Sequence, residues 1–190
     1  MERSTDVNDE IGPLMQLIFT GTESTFKTAL SMAVATALDW PLSSEFAREY
    51  IAKLLLEQPH LDMHHFTKED FLACAKGQIE RQEQMGYYSD DNGVFDTDGV
   101  TLSIWGEDKF DGAENLWLTP PKNGLYLLCA PTNAASEDLQ RIDIDRREYL
   151  HGQYIQWLEK LRRDYVLLTS ESFEGRLKEA LHHLAERRIR

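Results

Sequence analysis

Apolar residues recur at helical spacing from about residue 10 to 86 and again from about 143, and between those stretches the spacing changes to alternation. That change of period limits the fold more than any other feature. Gly12-Pro13 can open a short helix with Ile11, Leu14, Met15 and Ile18 on one side, ended by Gly21. The next helix, over roughly 25–39, is apolar almost all round, from Phe26 and Leu30 to Val34 and Leu38, as in a helix central to a bundle. A third carries Phe46, Tyr50, Ile51, Leu54 and Leu55 up to Pro59. Thr67 stands three residues before Asp70, a near capping box that predicts a helix over 68–85.

The middle of the chain reads differently. Asp96-Thr97-Asp98-Gly99 has the chemistry of a tight hairpin turn. Val100, Leu102 and Ile104 then alternate with Thr101, Ser103 and Trp105, as in a half-buried strand. Leu116-Trp117-Leu118 and the apolar run Leu125–Cys129 supply two more strands. Beyond them, Leu150, Tyr154, Trp157, Leu158, Leu161, Tyr165 and Leu168 form one long helical stripe, and Phe173, Leu177, Ala180, Leu181 and Leu184 define a last helix. The expectation is a helix-dominated α+β fold. About six helices pack on a small antiparallel meander of three or four strands over residues 93–130, in a single domain spanning 1–190 with helical parts at 10–86 and 143–189.

Motifs for chemistry are sparse. Asp90, Asp91, Asn92, Asp96 and Asp98 crowd two glycines, but placing either Gly93 or Gly99 at the sixth position of a calcium loop puts the wrong residue types at the first and last positions. His60, His64 and His65 could ligate a metal with a nearby carboxylate, yet they follow Pro59 in a connecting segment and lack the Glu of a zinc-protease helix. Cys74 and Cys129 fall in apolar settings that suit buried, reduced thiols. Neither a nucleophile elbow nor a glycine-rich phosphate loop is read in the sequence. No catalytic residue and no cofactor are assigned, and a non-enzyme is expected over an enzyme.

Charge then carries the functional expectation. The formal net charge is -13, with the acidity concentrated before residue 140, which disfavours nucleic acid and suits a basic partner. Asp90, Asp91, Asp96, Asp98, Glu107, Asp108 and Asp111, with Trp105 and Phe110 among them, form the expected partner-binding surface of aromatic anchors inside an acidic rim. The reading is an acidic protein-binding protein of the inhibitor, immunity or adaptor kind. A metal-assisted hydrolase using His60 and His64, and a structural subunit of an oligomer, are the alternatives. With no signal-peptide pattern and no membrane-length apolar run, the expected compartment is the cytoplasm.

Overall fold

Leu17, Ile18 and Phe19 are all fully buried, which requires a strand covered on both faces rather than a helix with one apolar side. In the computed structural model, which describes residues 15–58, 66–87, 91–110, 112, 121, 123–132 and 144–188, they belong to β1 (Gln16–Gly21) at the centre of a five-stranded sheet. The order along the chain is then α1 (Lys27–Leu38), β2 (Leu42–Ser43), α2 (Phe46–Glu57), α3 (Lys68–Gln84), β3 (Gly93–Asp96), α4 (Gly99–Lys109), β4 (Gly124–Cys129), α5 (Arg147–Lys160), β5 (Tyr165–Leu168) and α6 (Phe173–Arg188). The strands lie in the order β2-β3-β1-β4-β5, and every pairing is parallel. The antiparallel meander expected from the sequence is therefore corrected to an all-parallel α/β sheet.

Alternate residues of the strands build two cores. Leu17, Phe19, Val94, Leu125 and Leu127 pack with Leu30 and Val34 of α1 and with Ala180 and Leu184 of α6. On the opposite face Ile18, Phe95, Tyr126 and Leu128 pack with Val100 and Ile104 of α4 and with Leu150, Tyr154 and Leu158 of α5. Parallel strands need crossover helices, and here the helices cover both faces. α1 is no bundle centre: it lies on one face, with Met32 55% exposed.

Each misread segment has a physical cause. β1 reads as helix because a short apolar run carries no decisive period. The segment after Asp98 reads as a strand because α4 is buried on nearly every side, from Gly99 to Ile104 and at Gly106, and a helix without a wet face shows no helical period. Asp98 is the cap of that helix and not a turn residue: its Oδ1 accepts from the Val100 N–H at 3.0 Å. The long C-terminal stripe is split where α5 stops. Arg162 takes φ 52, and Tyr165–Leu168 then joins β4 as the edge strand. The Thr67 capping box of α3 is present with both of its hydrogen bonds. The Leu116–Leu118 strand lies outside the described residues.

Candidate functional site

Parallel α/β sheets place ligands outside the carboxyl ends of their strands, where successive crossovers leave to opposite sides. In this chain α1 leaves β1 over one face and α4 leaves β3 over the other. The loop between β1 and α1 lies at that end of the sheet. Its sequence is Gly21-Thr22-Glu23-Ser24-Thr25-Phe26-Lys27-Thr28. It follows the phosphate-loop pattern G-x-x-x-x-G-K-[ST] at every fixed position except the sixth, where Phe26 stands for glycine.

The backbone is bent as such a loop requires. Gly21 has φ 128, Ser24 φ 58 and Phe26 φ 67. A Cβ on Gly21 would lie 2.5 Å from the carbonyl oxygen of Cys129, its partner in the β1–β4 ladder, so no other residue fits there without a shift. Phe26 holds the left-handed conformation that glycine adopts freely and a bulky residue does not. Its ring turns to the core side, meeting Phe173 edge-on at 6.3 Å between centroids. The side chain is thus parked against α6.

The loop's carbonyls are tied back. Thr22 O accepts from Thr25 Oγ1 at 2.8 Å and from Lys27 Nζ at 2.6 Å. Ser24 O accepts from Thr132 Oγ1 at 3.0 Å, and Thr25 O from Arg176 Nη1 at 3.2 Å. The first N–H groups of α1 lack partners within the helix and carry the positive end of its dipole. With Lys27, they make an anion cradle.

Asp96 supplies the opposite charge. It ends β3 in register with Phe19, is 1% exposed, and neither of its carboxylate oxygens has a hydrogen-bond partner among the described residues. Burial pushes its pKa up to about 6, aided by the Glu45 charge, while Thr28, Lys27 and Arg48 pull against the rise. A buried, unpartnered carboxylate beside a loop threonine and lysine fits a hard divalent cation such as Mg2+, which takes one or two carboxylates plus phosphate oxygens.

Beside the loop opens a small cleft, with an enclosed volume of about 60 Å3 and a mouth open to solvent, and with Glu23, Glu45, Arg48, Thr101, Trp105 and Tyr154 in its walls. Arg48 Nε donates to Glu45 Oε2 at 2.8 Å. Hydroxyls link the cleft to the sheet: Thr101 Oγ1 lies 3.2 Å from Thr20 Oγ1, and it accepts from Tyr154 OH at 3.4 Å. An indole set among polar groups of both signs suits a flat, hydroxyl-bearing molecule.

The residues singled out from the sequence do not share one surface. Asp96 and Asp98 are buried. Asp98 Oδ2 accepts from Tyr87 OH at 2.9 Å and from Tyr126 OH, beneath the sheet. Phe110 stacks on Phe71 at 5.1 Å, and Asp108 pairs with Arg146 through two hydrogen bonds. Glu107 accepts from Trp157 Nε1 at 3.2 Å, and Asp91 is exposed. Trp105 and Asp96 stand by the cleft and the loop. Asp90, Asp111, His60, His64 and His65 lie outside the described residues. Among the described residues no cluster of three or more His, Cys, Asp or Glu is placed to hold a metal by itself.

Sequence reasoning missed Lys27, Thr28, Glu45, Arg48 and Tyr154. The spacing of Gly21 to Lys27-Thr28, after the apolar run Leu17–Phe19, was the available signal, and Phe26 concealed it.

The chain matches the family described as AAA domain over residues 16–176. Among solved structures its fold resembles NadR protein in complex with NR, at TM-score 0.68 and 18% identity over 93% of this chain and 50% of that one. It also resembles thymidylate kinase from Ehrlichia chaffeensis, at TM-score 0.60 and 15% identity over 91% and 99%. A third likeness is deoxyadenosine kinase from M. mycoides with bound dATP, at TM-score 0.63 and 13% identity over 90% and 100%. At these identities the likeness is one of fold. The chain spans about half the length of the NadR chain it matches. No curated protein matches the sequence.

The family match and the kinase-like fold overturn the expected inhibitor, immunity or adaptor function and its basic protein partner, together with the hydrolase and oligomer-subunit alternatives. The charge argument failed because net charge bears on solubility and steering rather than on fold. Among the described residues, no helix is long and apolar enough to cross a membrane.

Proposed function

The chain belongs to the AAA domain family, and from that premise and the site geometry we propose that it transfers a phosphoryl group from a nucleoside triphosphate to a nucleoside or nucleotide. The observation that carries this reading is the left-handed loop running from Gly21 to Lys27 with the unpartnered Asp96 carboxylate beside it. NadR protein with bound NR, thymidylate kinase and deoxyadenosine kinase, which share the fold, act on or bind molecules of this class.

In this reading the loop N–H groups and the Lys27 ammonium receive the triphosphate, once Lys27 gives up its bond to Thr22 O. Thr28 and Asp96 would hold a magnesium ion. When bound, such an ion neutralises and orients the phosphate oxygens. The acceptor lies in the cleft with its ring against Trp105, and Arg48 and Glu45 fix its polar groups. An acceptor hydroxyl oxygen bonds to the γ-phosphorus as the bond to the bridging oxygen breaks, so the diphosphate leaves. The hydroxyl proton passes to a carboxylate of the cleft wall, where Glu23 and Glu45 stand.

The reading also treats the chain as one domain and favours a cytoplasmic setting, where nucleoside triphosphates are kept. Equilibrium binding of ATP with Mg2+ tests it. Saturable binding that weakens about tenfold or more in Lys27→Ala supports it. Failure of the unaltered chain to bind ATP would sink it.

A further inference from the structure

Arg176 of α6 is fully buried, yet its partners are neutral: Nε donates to Ser170 O at 2.5 Å and Nη1 to Thr25 O at 3.2 Å, and the guanidinium also lies against the Cys129 thiol. Its Nη2 has no hydrogen-bond partner among the described residues. Among the described residues no carboxylate pairs with it, and an interior guanidinium so held is costly, so its place beneath the loop calls for a reason. Phe26 supplies one. Glycine at the sixth position of such a loop takes positive φ without strain, whereas a phenylalanine there must be held by its surroundings.

The two residues that meet this need both lie on α6. Phe173, its first residue, receives the Phe26 ring. Arg176, one turn on, anchors the carbonyl of the Thr25–Phe26 peptide. The chain contains no cis peptide among its described residues, and in a trans peptide the C=O and N–H point in opposite directions. Fixing Thr25 O on Arg176 therefore turns the Phe26 N–H away from α6, toward the mouth of the loop. The guanidinium charge on the carbonyl also polarises that peptide and makes its N–H a stronger donor.

Resting on the reading of the loop as a phosphate site, we propose that Arg176 is a positioning residue. With Phe173, it clamps the Thr25–Phe26 peptide in the phosphate-binding orientation and so lets this loop work with phenylalanine in place of glycine. Arg176 does not touch the phosphate; it acts through the peptide.

The test compares ATP and inorganic tripolyphosphate, each with Mg2+, by calorimetric titration of the full chain and of Arg176→Met, Arg176→Lys, Phe26→Gly and the double variant Phe26→Gly/Arg176→Met. Arg176→Met is expected to weaken both probes by roughly tenfold, as loss of one charge-assisted hydrogen bond implies. The loss should be equal for the two probes, because the clamp acts on phosphate and not on the base. In the Phe26→Gly background the same change should cost only about twofold, because glycine holds the bend unaided. Arg176→Lys should fall between. A measurement on the unaltered chain needs no variant to fold: the Phe26 amide proton resonance should move downfield on adding tripolyphosphate. If the unaltered chain binds neither probe, the phosphate-site reading itself fails. If it binds both, then equal binding by Arg176→Met, a loss undiminished in the Phe26→Gly background, or a stationary Phe26 resonance overturns the clamp alone.

Discussion

Asp96 stands opposite Phe19 in the parallel register of β3 on β1, and Phe19 lies two residues before Gly21, where the strand closes and the loop to α1 begins. This register brings a buried carboxylate beside Thr28 and Lys27, with neither oxygen geometrically hydrogen-bonded among the described residues. The sheet builds a group that suits a ligand better than it suits the fold.

That conflict has a measurable sign. The folded pKa of Asp96, about 6, exceeds the ordinary 3.8, so folding takes up a proton between those values. Its penalty is absent below about pH 4, grows as pH rises and is complete above about pH 6. A shift of about two units corresponds to about 3 kcal/mol. Asp96→Asn is therefore expected to raise stability at pH 7.5 by up to about that amount, to leave it unchanged at pH 3.5, and to abolish phosphoryl transfer. Urea unfolding at the two pH values checks the first part, and a variant less stable at pH 7.5 contradicts it.

Gly21→Ala should destabilise the chain and spoil the loop together. The added methyl would lie 2.5 Å from Cys129 O, at a backbone φ of 128, and strain of that kind costs about 1–3 kcal/mol. Thermal unfolding and ATP affinity should both fall. Unaltered melting would show that β1 and β4 approach less closely than described.

Asp98 has a structural part that Asp96 lacks. Tyr87, Tyr126 and the Val100 N–H all donate to it, and Asp98→Ala strands two buried phenols and uncaps α4. A loss of about 3–5 kcal/mol is expected. Denaturant titration reads it, and a loss under about 1 kcal/mol would remove the buried network from the account.

The cleft aromatics should separate acceptor from donor. Trp105→Ala is expected to raise the acceptor's KM by about tenfold, in line with the loss of one stacked ring, while ATP affinity stays within about twofold. A larger effect on ATP than on the acceptor would place the ring on the wrong side of the transfer.

Much of the helical content was legible, because α2, α3 and α6 each keep a wet face and α3 carries its capping box in the open. The sheet was hidden for the same reason it is central. Leu17–Phe19 is covered on both sides, so it shows no alternation and reads as helix, whereas the longer apolar run Leu125–Cys129, covered likewise, was read as a strand and is β4. α4 is buried all round and mimicked a strand. Of the site, Asp96 and Trp105 were singled out for an acidic surface, whereas among the described residues Asp96 and Asp98 are buried. The loop itself was concealed by one residue, since Phe26 keeps the backbone of glycine while removing glycine from the pattern. A sequence shows the residue type required by ordinary energetics, whereas here α6 supplies the support that makes another type workable.

Phosphorus NMR of the purified chain with ATP, Mg2+ and a panel of nucleosides and nucleoside monophosphates tests the central claim most directly. The expected result is loss of the γ-phosphate signal, with matched appearance of ADP and one phosphorylated acceptor, at a rate reduced at least about a hundredfold in Lys27→Ala. Unchanged ATP with every acceptor, or a rate that survives Lys27→Ala, would contradict it.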